Sequence, residues 1–174
     1  MENSQHIAGR NLLITGANRG LGAAFVRAAL ERGAEKIYCG ARDLASFGTD
    51  LQQYGGRAVP IQLDITQDAD VAAAAQLDDV DIVISNAGVT YMVPLMQTTL
   101  EGARSTMEAN YFGPLRLVYA FGEALQRRRG GFISVLSLAG LVPARGAELY
   151  SASKAAGMML GHAARAALPD VKIS

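Results

Sequence analysis

Short runs of apolar residues alternate with longer, Ala-rich segments along most of the chain. The runs are NLLIT from residue 11, KIYCG from 36, AVPIQL from 58, VDIVIS from 80, GFISVLS from 131 and a final VKIS. Helical patterns lie between them, near residues 21–32, 45–54, 69–77, 97–129 and 150–167. Strands that are apolar throughout are typical of parallel sheets covered by helices on both faces. The pattern therefore predicts an α/β fold with a doubly wound parallel sheet, in a single domain spanning 1–174.

Composition narrows the classes of function. The 174 residues are 50% apolar, and 16 basic and 16 acidic side chains leave no net charge to attract nucleic acid or an anionic membrane. The basic RRRGG at 127–131 is more typical of a helix end than of a nucleic-acid site. No apolar stretch reaches the roughly 18 residues that span a bilayer. Cys39 has no cysteine partner, which favours a reducing compartment and a buried thiol, so we expect a cytoplasmic protein without disulfides.

The first strand runs directly into a glycine-rich turn, TGANRGLG at 15–22, and then into a helix. Gly16, Gly20 and Gly22 fall where a turn must bend sharply, where backbone must approach a phosphate and where a helix must pack closely on a strand. The amides of the helix N-terminus would face a pyrophosphate. An ordinary tight turn is the alternative, but the strand-to-helix context favours a Rossmann-like dinucleotide-binding loop. The loop adds three further candidate contacts, Asn18, Arg19 and Leu21.

The end of the second strand bears on which dinucleotide would bind. In the general fold an acidic residue there holds the ribose of NAD, whereas arginine accommodates the 2′-phosphate of NADP. Gly40 and Ala41 occupy that position, and Arg42 follows, with Arg19 as a second cation in the glycine loop. Guanidinium groups bind phosphate bidentately, so the sequence favours NADP over NAD. Asp43 argues against this, although it is more simply the N-cap of the next helix.

Near the end of the chain, YSASK places Tyr150 and Lys154 one helical turn apart on one face. A nearby ammonium lowers the pKa of a phenol from its usual value near 10, which suits an acid/base group. Ser137 follows a strand at the sheet edge where ligands bind, and Asn110 lies in a long helical stretch. Each residue also has a structural alternative: a packed ring, a solvated charge, a strand-end hydroxyl and a helix-kinking amide. With two histidines and no zinc-binding motif, no metal site is predicted.

The G-x-x-x-G-x-G spacing and the order Asn, Ser, Tyr, Lys resemble the short-chain dehydrogenase/reductase family over about residues 11–174. The resemblance implies that Tyr150 is the acid/base and that Lys154 tunes it. It also implies that both contact the nicotinamide ribose, that Ser137 orients the carbonyl and that Asn110 places a proton-relay water.

Two further motifs imply contacts with the adenosine half of the cofactor. In LDIT, Asp64 would accept the adenine amino group with Ile65 beside it; a helix-initiating Asp is an equal alternative. SNAG at 85–88 is similar to the family's Asn-Asn-Ala-Gly motif, with Ser85 in place of the first Asn. The other three residues of the motif are the implied contacts, Asn86, Ala87 and Gly88.

The resemblance implies an NADP-dependent oxidoreductase that acts on a carbonyl compound or a secondary alcohol, as a homodimer or homotetramer formed through the two last long helices. The loops GVTYMVPL and LAGLVPARGAEL would flank the pocket, and their apolar residues favour a hydrophobic substrate. Family members continue beyond the sixth strand, so we expect the C-terminal substrate-binding segment and a last strand to be missing from a chain ending in VKIS. The alternatives are a non-catalytic NADP-binding sensor or scaffold, and an inactive truncated fragment.

Overall fold

Six strands and five α-helices follow one another along the chain in a computed structural model that describes residues 7–49 and 51–174. The strands are β1 (Asn11–Thr15), β2 (Lys36–Ala41), β3 (Ala58–Gln62), β4 (Ile82–Ser85), β5 (Gly131–Ser134) and β6 (Lys172–Ile173). The helices are α1 (Gly20–Glu31), α2 (Asp68–Ala74), α3 (Leu100–Met107), α4 (Gly113–Arg127) and α5 (Glu148–Ala167).

All the strands pair in parallel in one sheet, in the order β3-β2-β1-β4-β5-β6. The chain first builds outward from β1 through β2 to β3, then returns to add β4 on the other side of β1. Strand order therefore reverses between β1 and β4, and in open α/β sheets ligands bind at the carboxyl ends of the strands at such a reversal. The doubly wound parallel sheet predicted from the sequence is confirmed.

Helices cover both faces of the sheet because successive strand residues point to opposite sides. Leu12 and Ile14 pack with Val26 of α1 on one face, in a core that also holds Cys39. Leu13 packs on the other face against residues of α4 and α5, such as Phe121. The buried cysteine expected from the sequence is observed, and burial raises the pKa of the Cys39 thiol to about 12.

The prediction of a helix at 45–54 is wrong for the described residues. Two short 3-10 turns occupy the segment, Leu44–Phe47 and Gln52–Tyr54, while residue 50 lies outside the described part of the chain. Gly48 ends the first turn with a φ of 52°, a left-handed conformation that interrupts a helix. Phe47 is buried and fastens the turn to the core.

The helical stretch predicted at 97–129 is divided into three parts. Helix α3 begins after Thr99, whose Oγ1 accepts a hydrogen bond from the Gly102 amide, and a π-helical segment, Glu108–Phe112, joins it to α4. Pro114 at the start of α4 has no N–H to donate to the carbonyl four residues earlier, so the regular α-helical ladder cannot continue there. Such π-helical segments are frequent at functional sites. This one contains Asn110.

Two strands are shorter than their apolar runs. Strand β5 ends at Ser134, so Ser137 lies three residues beyond the strand, and β6 has only two residues. Helix α5 begins at Glu148, two residues before the predicted start, which places Tyr150 in its first turn.

Candidate functional site

A cleft of about 500 Å³ opens at the carboxyl ends of β1 and β4, where the strand order reverses. Most of the cofactor-binding residues predicted from the sequence line it: Gly16, Asn18, Arg19, Gly20, Leu21, Arg42, Asp64, Ile65, Asn86, Ala87 and Gly88. Its lining also includes residues that we did not predict: Ala41, Asp43, Ser46, Leu63, Thr66, Val89 and Ala109. Several of these follow predicted residues directly. Ser46 was missed because it lies in the segment wrongly predicted as a helix.

The glycine loop has the geometry that a bound pyrophosphate requires. Gly16 and Gly20 have φ values of 64° and 55°, where a side chain would be strained. A Cβ on Gly22 would lie 2.0 Å from the Gly16 carbonyl oxygen, so only glycine lets α1 pack this closely on the loop. Within the described residues no side chain caps the N-terminus of α1. The backbone amides of its first turn are therefore available to a ligand at the mouth of the cleft. The loop therefore fits a dinucleotide phosphate.

Asn86 braces the glycine loop from the neighbouring strand. Its Nδ2 donates hydrogen bonds to the carbonyl oxygens of Thr15, at 2.9 Å, and Gly16, at 3.2 Å. The buried Thr15 hydroxyl accepts in return from the backbone amides of Asn86 and Ala87. Strand ends β1 and β4 are thereby fixed to each other, so Asn86 shapes the cleft as well as lining it.

Two arginines lie in the part of the cleft next to the end of β2. Arg19 and Arg42 are exposed, and neither guanidinium forms an ion pair with the described residues. Asp43, the residue that argued for NAD, accepts a hydrogen bond from the Ala45 amide at 2.9 Å and caps the first 3-10 turn, as the alternative interpretation predicted. Asn18 donates to the Ser46 hydroxyl at 2.9 Å and so ties the glycine loop to this turn.

Asp64 does not initiate a helix. Its Oδ1 accepts hydrogen bonds from the amide and the hydroxyl of Thr66, at 2.9 and 2.8 Å, whereas α2 begins only at Asp68 with Gln67 as its N-cap. The carboxylate thus stabilises a tight turn at the end of β3. Its second oxygen makes no hydrogen bond with the described residues, and the residue lines the cleft.

Tyr150 and Lys154 meet as their spacing predicts. The Lys154 Nζ lies 5.8 Å from the centroid of the Tyr150 ring and donates a hydrogen bond to the Val135 carbonyl at 2.9 Å. Lys154 is only 8% exposed, and burial lowers the pKa of its ammonium from 10.5. The backbone carbonyl therefore holds a partly desolvated cation next to the phenol.

Asn110 is 3% exposed, and the protein itself engages its whole side-chain amide. Nδ2 donates to the Val89 carbonyl at 2.8 Å and the Ser153 hydroxyl at 2.9 Å, and Oδ1 accepts from the Val89 amide at 2.9 Å. These bonds join the loop after β4 to the helix that carries Tyr150. The side chain therefore braces this loop against α5, while the proton-relay role that the resemblance implied stays a prediction.

Ser137 and Gly88 complete the arrangement around Lys154. The Ser137 Oγ accepts a hydrogen bond from the Ala139 amide at 3.1 Å and caps the 3-10 turn Leu138–Gly140. Gly140 packs this turn directly on α5, since a Cβ there would lie 3.0 Å from the Lys154 carbonyl carbon. A Cβ on Gly88 would lie 2.7 Å from Asn110 Oδ1 and 3.7 Å from Lys154 Nζ, so Gly88, which lines the cleft, packs directly against both side chains, while Asn110 and Lys154 line the small second cavity instead.

A second, very small cavity of about 10 Å³ lies behind Lys154 and is lined in part by Ser85 and Asn110. The Ser85 hydroxyl is buried and has no hydrogen-bond partner among the described residues. Serine therefore leaves a gap where the similar family motif has a larger asparagine. Neither a cluster of metal-ligating side chains nor a helix able to cross a membrane occurs in the described part of the chain.

The chain is similar to known proteins along nearly its whole length. A family model described as short chain dehydrogenase matches residues 10–174. L-fucose dehydrogenase from Oryctolagus cuniculus is 33% identical over 162 residues, which cover 90% of this chain and 56% of that protein. Dehydrogenase/reductase SDR family member 7B from Rattus norvegicus is 30% identical over 177 residues, covering 93% of this chain and 54% of the relative. The chain thus spans little more than half the length of these relatives.

Solved structures share the fold. A short chain dehydrogenase from Burkholderia cenocepacia in complex with NADP is 42% identical with a TM-score of 0.90, covering 96% of this chain and 70% of that one. A short-chain dehydrogenase from Streptomyces avermitilis is 29% identical with a TM-score of 0.89, and the match covers 95% of this chain and 63% of that one. A Burkholderia phymatum protein in complex with NAD, 24% identical with a TM-score of 0.89 over 97% and 65% of the two chains, is alike in fold.

Proposed function

This chain belongs to the short-chain dehydrogenase/reductase family, and from that premise we propose that it is an NADP-dependent oxidoreductase acting on a carbonyl compound or a secondary alcohol. One observation carries the proposal: a buried ammonium, that of Lys154, lies 5.8 Å from the Tyr150 ring centroid. A structural lysine would usually extend its ammonium into solvent. This one is held by a carbonyl beside a phenol, and Gly88, which lines the cleft, packs against it.

The chain's own residues would hold NADP along the cleft. The N-terminal amides of α1 would bind the pyrophosphate, and Arg19 and Arg42 would bind the 2′-phosphate. Asp64 would accept the adenine amino group, and Lys154 would bind the nicotinamide ribose. The choice of NADP over NAD is supported by two guanidinium groups that form no ion pair within the described residues, by the capping role of Asp43, and by the NADP complex of the Burkholderia cenocepacia protein.

Proton transfer falls to Tyr150. NADPH, when bound, supplies the hydride, and the substrate oxygen then needs a proton from a group with a suitable pKa. Tyr150 carries a hydroxyl that can donate this proton, and the Lys154 ammonium lies 5.8 Å from the centroid of its ring. Ser137 uses its oxygen to cap a backbone turn, which leaves its hydroxyl hydrogen to orient the substrate oxygen.

A homo-oligomer formed through α4 and α5 is the partner that we propose. Helix α4 presents Tyr119 with 76% of its surface exposed, preceded by Phe112 in the π-helical segment, and α5 presents Met159. Large apolar side chains on two long helices are typical of a surface covered by a second copy. A cytoplasmic location stays a prediction, supported by the lone free thiol of Cys39.

Calorimetric titration of the chain with NADPH and with NADH tests the cofactor assignment. Wild type should bind NADPH at micromolar concentration and NADH more weakly. Arg42→Ala should weaken NADPH by about 10- to 100-fold, since a charge-assisted hydrogen bond contributes about 1.5–3 kcal/mol, and should leave NADH unchanged. Arg27→Ala, an exposed arginine of α1 outside the cleft, is the matched control. Equal affinity for the two nucleotides would contradict the NADP assignment, and no binding of either would contradict the function.

Tyr150→Phe separates an oxidoreductase from a sensor or scaffold that only binds NADP. The substitution removes only the hydroxyl. It should therefore abolish the NADPH-dependent reduction of ketones, which needs the hydroxyl proton, and leave the affinity for NADPH unchanged. Tyr119→Phe, which alters an exposed tyrosine on α4, should affect neither property. An enzyme that keeps its turnover after Tyr150→Phe would exclude Tyr150 as the acid/base. Wild type that binds NADPH without any turnover would favour the sensor, or the inactive fragment.

A further inference from the structure

A carboxylate at the start of α5 joins two loops that are far apart in the sequence. Glu148 is the first residue of α5 and lies two residues before Tyr150. Its Oε1 accepts a hydrogen bond from the Gly146 amide at 3.0 Å, and its Oε2 accepts one from the Leu95 amide at 3.1 Å. Leu95 precedes Glu148 by 53 residues. One side chain thus bridges the loop after β4 and the loop after β5.

These two loops, residues 88–95 and 138–147, both leave the carboxyl edge of the sheet, where the cleft and Tyr150 lie. Both expose apolar side chains: Tyr91, Met92 and Leu95 on the first, and Leu138, Leu141 and Val142 on the second. Met92 is 69% exposed and Leu138 is 82% exposed. A single exposed apolar side chain is common on protein surfaces, but several on two joined loops form an apolar patch. Exposed apolar surface on two loops that are joined two residues from Tyr150 is typical of a surface that binds a ligand.

The bridge is electrostatically favourable. Hydrogen bonds from the backbone amides of Gly146, of Glu148 itself and of Leu95, together with the nearby positive charge of Arg145, hold the pKa of the Glu148 carboxyl below 4.5. The carboxylate also lies in the first turn of a helix, where negative charge is stabilised. Gly146 adopts a φ of 78°, which permits the turn that directs its amide to Glu148.

The same charges define what the loops are suited to bind. The sequence of residues 88–95 contains no charged side chain, and that of 138–147 contains only Arg145. Glu148 offsets the charge of Arg145, because the two lie close enough for Arg145 to lower the pKa of the carboxyl. Little net charge is left to attract a charged substrate. Met, Leu and Val side chains form the wall instead.

We propose that Glu148 is a positioning residue that holds the two apolar loops together beside Tyr150, and that the loops take an apolar ketone or secondary alcohol. The substrate part of this proposal rests on the proposed function. The bridge itself does not, since it consists of two hydrogen bonds within the chain. Glu148 touches neither substrate nor cofactor in this role and acts only through the two loops.

Two variants break the bridge from opposite sides. Glu148→Gln leaves one good acceptor for two amides. Leu95→Pro removes the donor on the other side, and proline is tolerated at the first position of a helical turn, the place that Leu95 holds in Leu95–Gln97. Glu101→Gln, which alters an exposed glutamate in the first turn of α3, is the matched control. Thermal melting is compared first, and the pair of variants keeps the test valid if one of them does not fold.

Two readouts follow. Hydrogen exchange of the Gly146 and Leu95 amides in Glu148→Gln should speed up by about tenfold, in line with the loss of a charge-assisted bond. With NADPH and methyl ketones from butanone to octanone, KM for the long ketones should rise about tenfold while kcat changes little, and the short ketones should be affected least. NADPH affinity should stay the same in wild type and in all three variants.

Unchanged exchange in Glu148→Gln and unchanged KM in both variants would overturn the role of Glu148. An equal rise in KM for short and long ketones, accompanied by weaker NADPH binding, would show a general structural effect and would also overturn the role of Glu148. Wild type that reduces only charged or strongly polar carbonyl compounds would overturn the substrate class. Wild type that does not bind NADPH would instead contradict the proposed function, while the exchange measurement would still decide whether the bridge exists.

Discussion

Replacing Asn110 by alanine tests whether this residue is mainly a brace. The substitution removes the three hydrogen bonds to Val89 and Ser153, at 2.8, 2.9 and 2.9 Å. Each such bond contributes about 1 kcal/mol net. The amide and carbonyl of Val89 lose their partner, so little of that loss should be recovered. We expect Asn110→Ala to lower the free energy of unfolding by about 3 kcal/mol.

Urea unfolding followed by circular dichroism measures this change directly, and thermal melting provides a second measure. For a chain of this size, 1 kcal/mol corresponds to about 2–4 °C, so the melting temperature should fall by about 6–12 °C. Asn18→Ala is the matched control, because it removes a single exposed hydrogen bond to Ser46 and should cost less than about 1 kcal/mol. An Asn110→Ala chain within about 1 kcal/mol of wild type would refute the brace.

Four further perturbations have expected outcomes. Gly22→Ala would place a Cβ 2.0 Å from the Gly16 oxygen and should destabilise the chain by about 2–3 kcal/mol or more and abolish NADPH binding. Gly161→Ala in α5, where a Cβ meets nothing within 4 Å, should instead stabilise it by about 0.5–1 kcal/mol, as urea unfolding of both would show. Cys39, with a pKa of about 12, should not react with a thiol-specific disulfide reagent near neutral pH until urea unfolds the chain; rapid reaction of the native chain would contradict its burial. Because the folded pKa of Lys154 lies below 10.5, the unfolded chain binds this proton more tightly, and the lysine adds stability as pH rises through the interval between the two values. Lys154→Met should therefore be more stable than wild type at neutral pH and should lack that rise. If the urea midpoints of the two chains changed with pH in the same way, this expectation would be contradicted.

Features set by local geometry were predicted well from the sequence. Apolar runs with glycine turns predicted the parallel sheet, because strands buried on both faces need continuous apolar residues. Tyr150 and Lys154 met as predicted because four residues along a helix always return to the same face. The capping role of Asp43 was likewise a contact with a near neighbour, Ala45, two residues on.

Features that depend on the path of loops were missed. The segment 45–54 carries helix-forming residues, but Gly48 and the burial of Phe47 produce two short turns. The sequence left two roles open for Asp64, a contact with adenine and the start of a helix. The hydrogen bonds that Asp64 accepts from Thr66 exclude the second role. The sequence named Asn110 as a candidate but not the contacts that its side chain makes with Val89 and Ser153, 21 and 43 residues away.

The sequence by itself determined the sheet, the glycine loop and the pair of Tyr150 and Lys154, because each follows from the repeat of a strand or helix or from a few adjacent residues. The tertiary structure alone decided how Asn86 braces the glycine loop, how Asn110 joins a loop to α5 and how Glu148 bridges two loops. These contacts join residues between 43 and 71 positions apart. No periodicity relates such residues, and only the packing of the whole sheet and its helices brings them within hydrogen-bonding distance.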